Sequence, residues 1–472
     1  MRGHIRLAAV AAAVLALAGC ATVDIDQAVR DTNRAIPGFT DNKLELSRTD
    51  QQRQARARLS GELLAKPLTM DDAVQLALAN SPSLQALIAQ SWADIAAADQ
   101  AGRLGNPVFT FERVRVQSEL EIGRLLSIGL LDLLTLPRRQ ALSRNQVAQA
   151  RTQMSATIVE QVSQVRQAWV RAVAAQQSLD YAQQVNNSAQ ASAELAQRMQ
   201  QVGNFSKLQR ARQHAFYADA AAQLASANHA TTAAREELVR QLGLTEEQAR
   251  QLKLPQRLPD LPKQPRAPAH VNASALQQRL DVQLARLQLD VAGKSQGLNL
   301  LNSLFDIEAG ARRDTRFDNA TGERATAKGY ELEIRLPLFD WGGAQRAAMN
   351  AQSLAAANRY EAVIRAASSQ LRESYSAYRT AYDLARHYRD EVVPLRKTIS
   401  EENVLRYNGM LIGVFELLAD QRDQVATVNA ALNAQQQFWL ADAGLASSLI
   451  GKPIAMGVTP VSTSTTSGGE RH

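Results

Sequence analysis

The feature that most constrains this chain is a stretch of about 65 residues, 138–202, that contains neither glycine nor proline. At 1.5 Å of rise per residue, one helix of this length would reach about 100 Å. Apolar residues recur in steps of three, four and seven, which places one apolar stripe on a long helix and favours coiled-coil packing. They are Val147, Met154, Ile158, Val162, Val165, Trp169 and Val173. Gly203 and Asn204 end this pattern and a second helical pattern runs to Leu242, so we predict a helical hairpin that turns near Gly203.

The same arrangement occurs again in the second half of the chain. Residues 344–408 contain no glycine and one proline, Pro394, and Gly409 follows them. A constant offset of about 206 residues over many positions predicts a duplicated unit. It aligns Ser163 with Ser369, Arg166 with Arg372, Trp169 with Tyr375, Gly203 with Gly409 and Ala220 with Ala426. Hairpins of this length do not form a compact globule, so we expect them to pack side by side or against other copies of the chain.

Four short segments with alternating apolar and polar residues precede the two hairpins. They are residues 108–116 and 119–128 in the first half and 305–312 and 330–336 in the second, the latter two separated by a polar loop at 314–328. Such alternation is typical of strands with one wet and one apolar face. Because the rest of the chain is long helix, lipid is the layer left to cover the apolar face of a closed barrel. Four strands cannot close a barrel, so several chains must contribute.

The N-terminus has the features of a bacterial export signal. Basic residues precede an apolar run at 7–17 that is too short to span a bilayer, and a Leu-Ala-Gly-Cys sequence ends at Cys20. This sequence is similar to a lipobox, so we expect residues 1–19 to be removed and Cys20 to carry covalent lipid. Ala21 stands where known lipoproteins retained in the inner membrane carry aspartate, which favours an outer-membrane destination.

Composition predicts how the rest of the chain is divided. Regularly spaced prolines predict an extended linker, and a tail rich in Ser, Thr and Gly predicts disorder. The predicted segments are a signal peptide (1–19), a lipid-anchored extended tether (20–65), a first repeat (66–250), a Pro-rich linker (251–270), a second repeat (271–452) and a disordered tail (453–472).

Three short segments occur in a characteristic order: 68–74 (Leu-Thr-Met-Asp-Asp-Ala-Val), 336–342 (Leu-Pro-Leu-Phe-Asp-Trp-Gly) and 406–409 (Arg-Tyr-Asn-Gly). Together they resemble the TolC-like outer-membrane efflux proteins, over roughly residues 66–452. The resemblance implies an α+β membrane protein that forms a homotrimer. Each chain would give four strands to a twelve-stranded outer-membrane barrel, and its duplicated helical hairpins to a periplasmic tunnel. The resemblance also implies a passive exit duct of a tripartite efflux or type I secretion system, with a periplasmic adaptor and an inner-membrane pump as partners.

The resemblance assigns adaptor docking to the two hairpin turns. The residues concerned are Gly203, Asn204, Phe205, Ser206, Gly409, Met410 and Leu411. Glycines also suit helix C-caps and tight turns, so the same residues are compatible with a purely local structural role.

The resemblance places a gate just after the second turn, where family members carry an aspartate pair that narrows the tunnel. Here Glu416 stands at the first of these positions, with one residue inserted, and Ala419 stands at the second. The candidate gate is therefore Glu416 with its neighbours Asp420 and Asp423. Three like charges on a trimer axis would repel anions and attract cations. The alternative is that Glu416 is a surface acid on a helix.

No sequence pattern indicates an enzyme. The sequence lacks a phosphate-binding glycine loop, a His-x-x-x-His pair and a cysteine-based metal site, and its six histidines are dispersed. We expect no catalytic residue, no metal and no cofactor apart from the lipid on Cys20. The net charge of +7 comes from Lys and Arg scattered among acids, which favours solvated helix faces over nucleic-acid binding.

Two other classes of protein share some of these features. A structural coiled-coil lipoprotein would have the long helices without a channel. A periplasmic adaptor usually has one helical hairpin flanked by compact β domains, whereas this chain has a strand pair in each half. A family member without an open channel is a third alternative, which conductance distinguishes.

Overall fold

The computed structural model describes residues 24–117, 119–267, 276, 278–304, 306–335 and 338–452. The signal peptide, the lipidation residue Cys20 and the tail at 453–472 lie outside the described residues, so these three predictions stay predictions.

Long helices and one antiparallel sheet make up the described chain. The helices are α1 (Ile25–Ala35), α2 (Asp50–Leu64), α3 (Met70–Asn80), α4 (Pro82–Gln100), α5 (Leu130–Gln201), α6 (Lys207–Leu242), α7 (Glu246–Gln251), α8 (Leu280–Leu304), α9 (Gly343–His387), α10 (Val393–Asn408) and α11 (Val414–Ile450). A π-helical turn, Tyr388–Val392, connects α9 to α10. The strands are β1 (Val108–Val116), β2 (Glu119–Gly129), β3 (Asp306–Asp318) and β4 (Arg324–Arg335). None of the described helices combines the length and the apolar character needed to cross a membrane.

The two predicted hairpins are present as α5–α6 and as α9–α10–α11. Helix α5 contains 72 residues and begins at Leu130, earlier than predicted, because Pro137 is accommodated inside the helix. Pro137 is the eighth residue of α5, beyond the four whose N–H groups have no intrahelical partner, and it cannot donate to the carbonyl of Leu133. The kink predicted at Pro82 is a full break: α3 ends at Asn80, and Pro82 opens α4.

The prediction of an extended segment over residues 20–65 is wrong where the structure describes it. The chain forms α1 and α2, and α2 starts at a capping box in which Thr49 and Gln52 satisfy each other's backbone N–H groups. Its sequence, DQQRQARARLSGELL, is rich in good helix formers but buries only Ser60, Leu63 and Leu64. A helix that is polar on most of its faces has no apolar periodicity, which is why the sequence pattern did not reveal it.

The sheet has the strand order β1-β2-β3-β4 with every neighbouring pair antiparallel. The polar loop predicted at 314–328 is wrong, since β3 continues to Asp318 and β4 starts at Arg324. Charged residues at these strand ends pair across the sheet: Arg316 lies 3.7 Å from Glu119 and 3.6 Å from Glu121. The strands connect to helices α4, α5, α8 and α9 at one end of the sheet, and the two β-turns lie at the opposite end.

The chain divides into two packed units, and each draws on both halves of the sequence. The first unit contains the sheet and comprises Met1–Thr32, Ile88–Arg151 and Leu287–Ala356. Within it, Gly102 lies so close to α5 that a Cβ would sit 2.6 Å from the Ser143 side chain, and the Ser143 hydroxyl donates to the Ala98 carbonyl at 2.8 Å. These contacts fix the last turn of α4 against the start of α5.

The second unit, Asn33–Leu87, Thr152–Arg286 and Ala357–His472, contains the turns and most of the length of both hairpins. One of its core clusters packs aromatic side chains of α9 and α11 together, with the Tyr378 and Phe438 ring centroids 5.7 Å apart. The described part of the Pro-rich linker after α7, residues 252–267, crosses this cluster without forming a helix. Its carbonyls accept hydrogen bonds from Tyr382 and Trp439, the latter at 3.0 Å from Pro259.

The duplication is visible as a repeated contact within this unit. Trp169 Nε1 donates to the Leu68 carbonyl at 2.8 Å, and Tyr375 Oη donates to the Arg266 carbonyl at 3.3 Å. Leu68 and Arg266 each precede the first helix of a repeat. Trp169 and Tyr375, predicted to be equivalent, thus make contacts of the same kind, while the equivalence itself stays a prediction.

Candidate functional site: the helical hairpin tips

The first hairpin tip is a glycine-ended helix C-terminus followed by a capped helix. Gly203 takes a left-handed conformation with φ +81°. Its N–H donates to Gln200 O at 3.0 Å, and Asn204 N donates to Met199 O at 2.8 Å, which is the Schellman pattern. Ser206 then caps α6 in a capping box with Gln209.

The second tip has the same hydrogen bonds, but a different residue type takes the left-handed position. Met410 has φ +57°, whereas Gly409 has φ −80°. Leu411 N donates to Arg406 O at 2.8 Å, and Met410 N donates to Tyr407 O at 2.9 Å. The predicted alignment of Gly203 with Gly409 is therefore wrong by one residue, because Met410 holds the position of Gly203.

The π-helical turn Tyr388–Val392 accounts for this shift. Val393 N donates to Tyr388 O, five residues back, so the turn accommodates one residue more than an α-helical turn does. The offset between the repeats grows by one residue between Tyr375 and Met410, on either side of this turn. Pro394 follows directly, and it has no N–H to donate to the carbonyl of Asp390 in a regular α-helix.

The residues predicted for docking lie at these tips, and most of them are exposed. Gly203, Asn204, Ser206, Gly409, Met410 and Leu411 are exposed, and Phe205 is half-buried. Met410 is 93% exposed and Leu411 is 78% exposed, and Val202 and Leu208 add exposed apolar surface to the first tip. Exposed apolar side chains at a turn indicate a surface for another protein, although the docking role itself stays a prediction.

The structure places the three candidate gate acids in different surroundings along α11. Glu416 is exposed in the first turn of the helix. Asp420 is 7% exposed, and its Oδ2 has no hydrogen-bond partner among the described residues. Asp423 forms an ion pair with Arg396 of α10, at 3.4 Å. Spacings of four and three residues put the three acids on one side of α11, but they differ in exposure and in interaction partners.

Gln213 is the structural equivalent of Asp420 and was missed by the sequence analysis. It lies seven residues after the N-cap Ser206, as Asp420 does after the N-cap Gly413. Gln213 is 3% exposed, and its Oε1 also lacks a hydrogen-bond partner in the described part of the chain. Each hairpin therefore carries, at the same depth from its tip, a buried oxygen without a hydrogen-bond partner among the described residues.

Arg422 joins the two hairpins, and it was also missed. Its Nη2 donates to the Arg212 carbonyl at 3.1 Å, and its guanidinium lies 4.8 Å from the centre of the Phe216 ring. Arg422 belongs to α11, and Arg212 and Phe216 belong to α6. An ordinary charged residue on an exposed helix gives no sequence signal for such a bridge.

A cavity of 470 Å³ opens behind this bridge, between α6 and α11. Polar and charged side chains, among them Arg212, Asp219 and Arg422, share its wall with small apolar residues. A second cavity of 250 Å³ continues from it past Tyr181, whose pKa is raised by burial, so the phenol stays neutral.

The described residues contain no group of three His, Cys, Asp or Glu side chains that could hold a metal ion. The lipidation residue Cys20 lies outside them.

Comparison with known proteins identifies the fold. No protein-family model and no curated protein matches the chain. The outer membrane channel CmeC of Campylobacter jejuni superposes with a TM-score of 0.69 at 15% identity, over 89% of this chain and 92% of that chain. The outer membrane protein VceC of Vibrio cholerae gives 0.66 at 17% identity, over 81% of this chain and 96% of that chain. The open state of the MtrE outer membrane channel of Neisseria gonorrhoeae gives 0.65 at 19% identity, over 81% and 89%.

The chain therefore has the fold of these outer membrane channels. The resemblance predicted from the three short segments is confirmed at the level of fold, with long helices and a four-stranded antiparallel sheet.

Proposed function

We propose that this protein is the outer-membrane channel of an efflux or type I secretion system, a passive duct for substrates delivered by an inner-membrane pump. The observation that carries the proposal is the fold shared with the three outer membrane channels over 81–89% of the chain. A duct needs no catalytic group, which agrees with the channel nature of these proteins.

The sheet supports this proposal independently of the comparisons. One of its faces exposes large apolar side chains, including Phe109, Tyr330 and Leu332, at 62%, 97% and 60%. The strands β1 and β4 each pair on one side only, so both edges of the sheet are open in a single chain. Open edges and an exposed apolar face are both covered if three copies close a twelve-stranded barrel in lipid.

The proposal also specifies the binding partners and the cellular location of the protein. The exposed apolar tips, with Met410 and Leu411 most exposed, would dock on a periplasmic adaptor that connects to the pump. A lipid on Cys20 would anchor the mature chain in the outer membrane, with the helical hairpins in the periplasm.

We place the gate at the tips, on Glu416, Asp420 and Asp423. The Arg422 bridge between α6 and α11 supports a closed resting state, since it ties the hairpins together where the unsatisfied Asp420 and Gln213 are buried. Opening would expose these oxygens to water, which satisfies them and offsets the loss of the bridge.

Conductance tests the channel and its gate together. Purified protein in a planar bilayer should conduct, and Arg422→Ala should raise the open probability by releasing α11 from α6. Arg365→Ala is the matched control, since within the described part of the chain Arg365 forms its ion pair along its own helix, with Glu361. If neither the wild type nor the Arg422→Ala variant conducts, the proposed channel function is wrong.

Heating distinguishes a barrel trimer from a structural coiled-coil lipoprotein. The trimer should migrate as a larger species on SDS gels before boiling and as a monomer afterwards, whereas a coiled-coil lipoprotein should migrate identically in both samples. Deletion of the gene should also raise sensitivity to at least one dye, drug or metal ion, and unchanged tolerance to a full panel would count against efflux.

A further inference from the structure

The register of the sheet sorts its charged residues by sign. Directly paired residues share a face, and the face that carries Glu112 also carries every acid of the four strands. On this face Arg312 bonds to Asp314 at 2.9 Å and lies 3.6 Å from Glu331. We call it the acidic face, and its cations are paired.

The opposite face has no acid within β1–β4, but it carries six cations. They are Arg113, Arg115, Arg124, Arg313, Arg324 and Lys328. Three of them stand directly opposite one another on adjacent strands, because Arg124 pairs with Arg313 and Arg313 pairs with Lys328. We call Arg124, Arg313 and Lys328 the cation row. Among the described residues, none of the three makes an ion pair with an acid, and Arg313 and Lys328 are exposed.

The cation row borders the apolar zone of the same face. Tyr330 lies two residues from Lys328 on β4, and Leu126 lies two residues from Arg124 on β2. Both Tyr330 and Leu126 are exposed. One step of two residues along a strand is about 7 Å. On β2, β3 and β4 the face therefore changes within one row from apolar and aromatic side chains to cations, in the direction of the β-turns, whereas β1 contributes Phe111 to the same row.

Three neighbouring cations without a counter-charge are unfavourable in the protein alone. Like charges directly opposite each other on paired strands destabilise a sheet. The acids that could neutralise the row all lie on the other face. An anion supplied from outside the chain would remove the repulsion and use the free guanidinium donors, which match phosphate oxygens in pairs.

We propose that the cation row binds the phosphate groups of anionic lipid headgroups in the leaflet at the β-turn end of the sheet. This inference rests on the proposed function, since it needs the apolar zone to face lipid. An aromatic side chain followed by cations is the order in which a barrel surface passes from hydrocarbon to headgroups. Each cation at an anionic membrane surface adds to the attraction, so the row acts as one site.

The test uses the full-length protein in an uncharged detergent, titrated with diphosphorylated lipid A. Bound lipid is counted by native mass spectrometry, and the heat stability of the trimer is followed in parallel. The variant carries Arg124→Gln, Arg313→Gln and Lys328→Gln. We expect its lipid affinity to fall by about tenfold or more, given the contribution of each cation near an anionic surface. A control with Arg198→Gln, Lys294→Gln and Arg359→Gln removes the same charge from exposed helix positions and should bind as the wild type does.

The sign of the stability change separates this site from a structural role. Without lipid the triple variant should be more heat-stable than the wild type, because the repulsion is gone. With lipid A the order should reverse, because only the wild type gains stability from binding. If the triple variant fails to fold, Arg313→Gln alone, at the centre of the row, should show the same reversal, and Arg313→Lys should retain binding.

Three results would overturn the inference. They are unchanged lipid binding by the triple variant, an equal loss of binding in the helix control, and stabilisation by inorganic phosphate alone as strong as that by lipid A. Conductance of the same preparation is measured separately. A wild-type protein that does not conduct contradicts the proposed channel function. A triple variant that conducts and binds lipid A as the wild type does contradicts only the proposed lipid site at the cation row.

Discussion

At the scale of single residues, the two hairpin tips differ in the residue type that takes the left-handed backbone conformation. A non-glycine residue in the left-handed region costs about 1–2 kcal/mol. Met410 bears this cost at φ +57°, while Gly203 meets the same demand without it. We expect Met410→Gly to slow hydrogen exchange of residues 405–411 by stabilising the tip by about 1 kcal/mol.

Two alanine substitutions serve as controls for this prediction. Gly203→Ala should speed exchange at the first tip, because alanine at φ +81° is strained. Gly409→Ala should leave the second tip nearly unchanged, because φ there is −80° and the nearest atom to an added Cβ is 3.5 Å away. Faster exchange after Gly409→Ala than after Gly203→Ala would contradict the assignment of Met410 to the left-handed position.

The ion pair between Asp442 of α11 and Arg266 of the linker carries a pH dependence. The two side chains are 3.0 Å apart, and Asp442 is 14% exposed. Burial raises the pKa of the Asp442 carboxyl above its ordinary value, although the Arg266 charge opposes the rise. The folded state thus holds this proton more tightly than the unfolded state, so the group's contribution to stability is present at low pH and is lost as pH rises through the folded pKa.

Arg266→Gln removes the counter-charge from a mostly buried carboxylate. We expect the free energy of unfolding at pH 7 to fall by about 1–2 kcal/mol, and by less at pH 4, where the carboxyl takes up a proton. Chemical denaturation at the two pH values measures both changes. In an Asp442→Asn background the Arg266 substitution should have little effect, and an equal loss there would assign the stability to the Arg266 stem instead.

At the scale of elements, apolar periodicity predicted the long hairpins but not the elements stabilised in other ways. A long segment without glycine that carries an apolar stripe predicts a helix such as α5, because only a long helix places all of these apolar side chains on one side. Helix α2 buries few residues and begins at its Thr49 cap, and the end of β3 forms ion pairs with β2 through Arg316. Bridges such as Arg422 depend on tertiary placement. The π turn also escaped notice, because one inserted residue inside a helix leaves composition unchanged.

The π turn predicts which deletions the second hairpin tolerates. Deleting Glu391 together with Pro394→Ala should convert Tyr388–Val392 into an ordinary α-helical turn and keep the tip in register. Deleting Gln184 from the regular helix α5 should instead rotate everything beyond it by about 100° and break the packing of that hairpin. Trimer formation on unheated SDS gels reports both outcomes, and loss of the trimer in the Glu391 deletion alone would contradict the role of the π turn.

At the scale of the whole molecule, the predicted lipid anchor makes a test independent of the fold. Cys20→Ser should abolish incorporation of labelled palmitate and reduce the amount of protein in outer-membrane fractions. Ala21→Asp should keep the label but move the protein toward the inner membrane, by analogy with other lipoproteins. Label retained after Cys20→Ser would exclude this residue as the attachment point.

The central pairing of the sheet joins strands from the two repeats, since β2 of the first half lies beside β3 of the second. These partners are almost two hundred residues apart in the chain, and contacts so distant in sequence form slowly. Before β3 is available, β1 and β2 form at most a two-stranded ribbon of marginal stability with an unpaired edge. Under the proposed function, we therefore expect newly exported chains to need shielding from one another until β3 and β4 have also reached the periplasm.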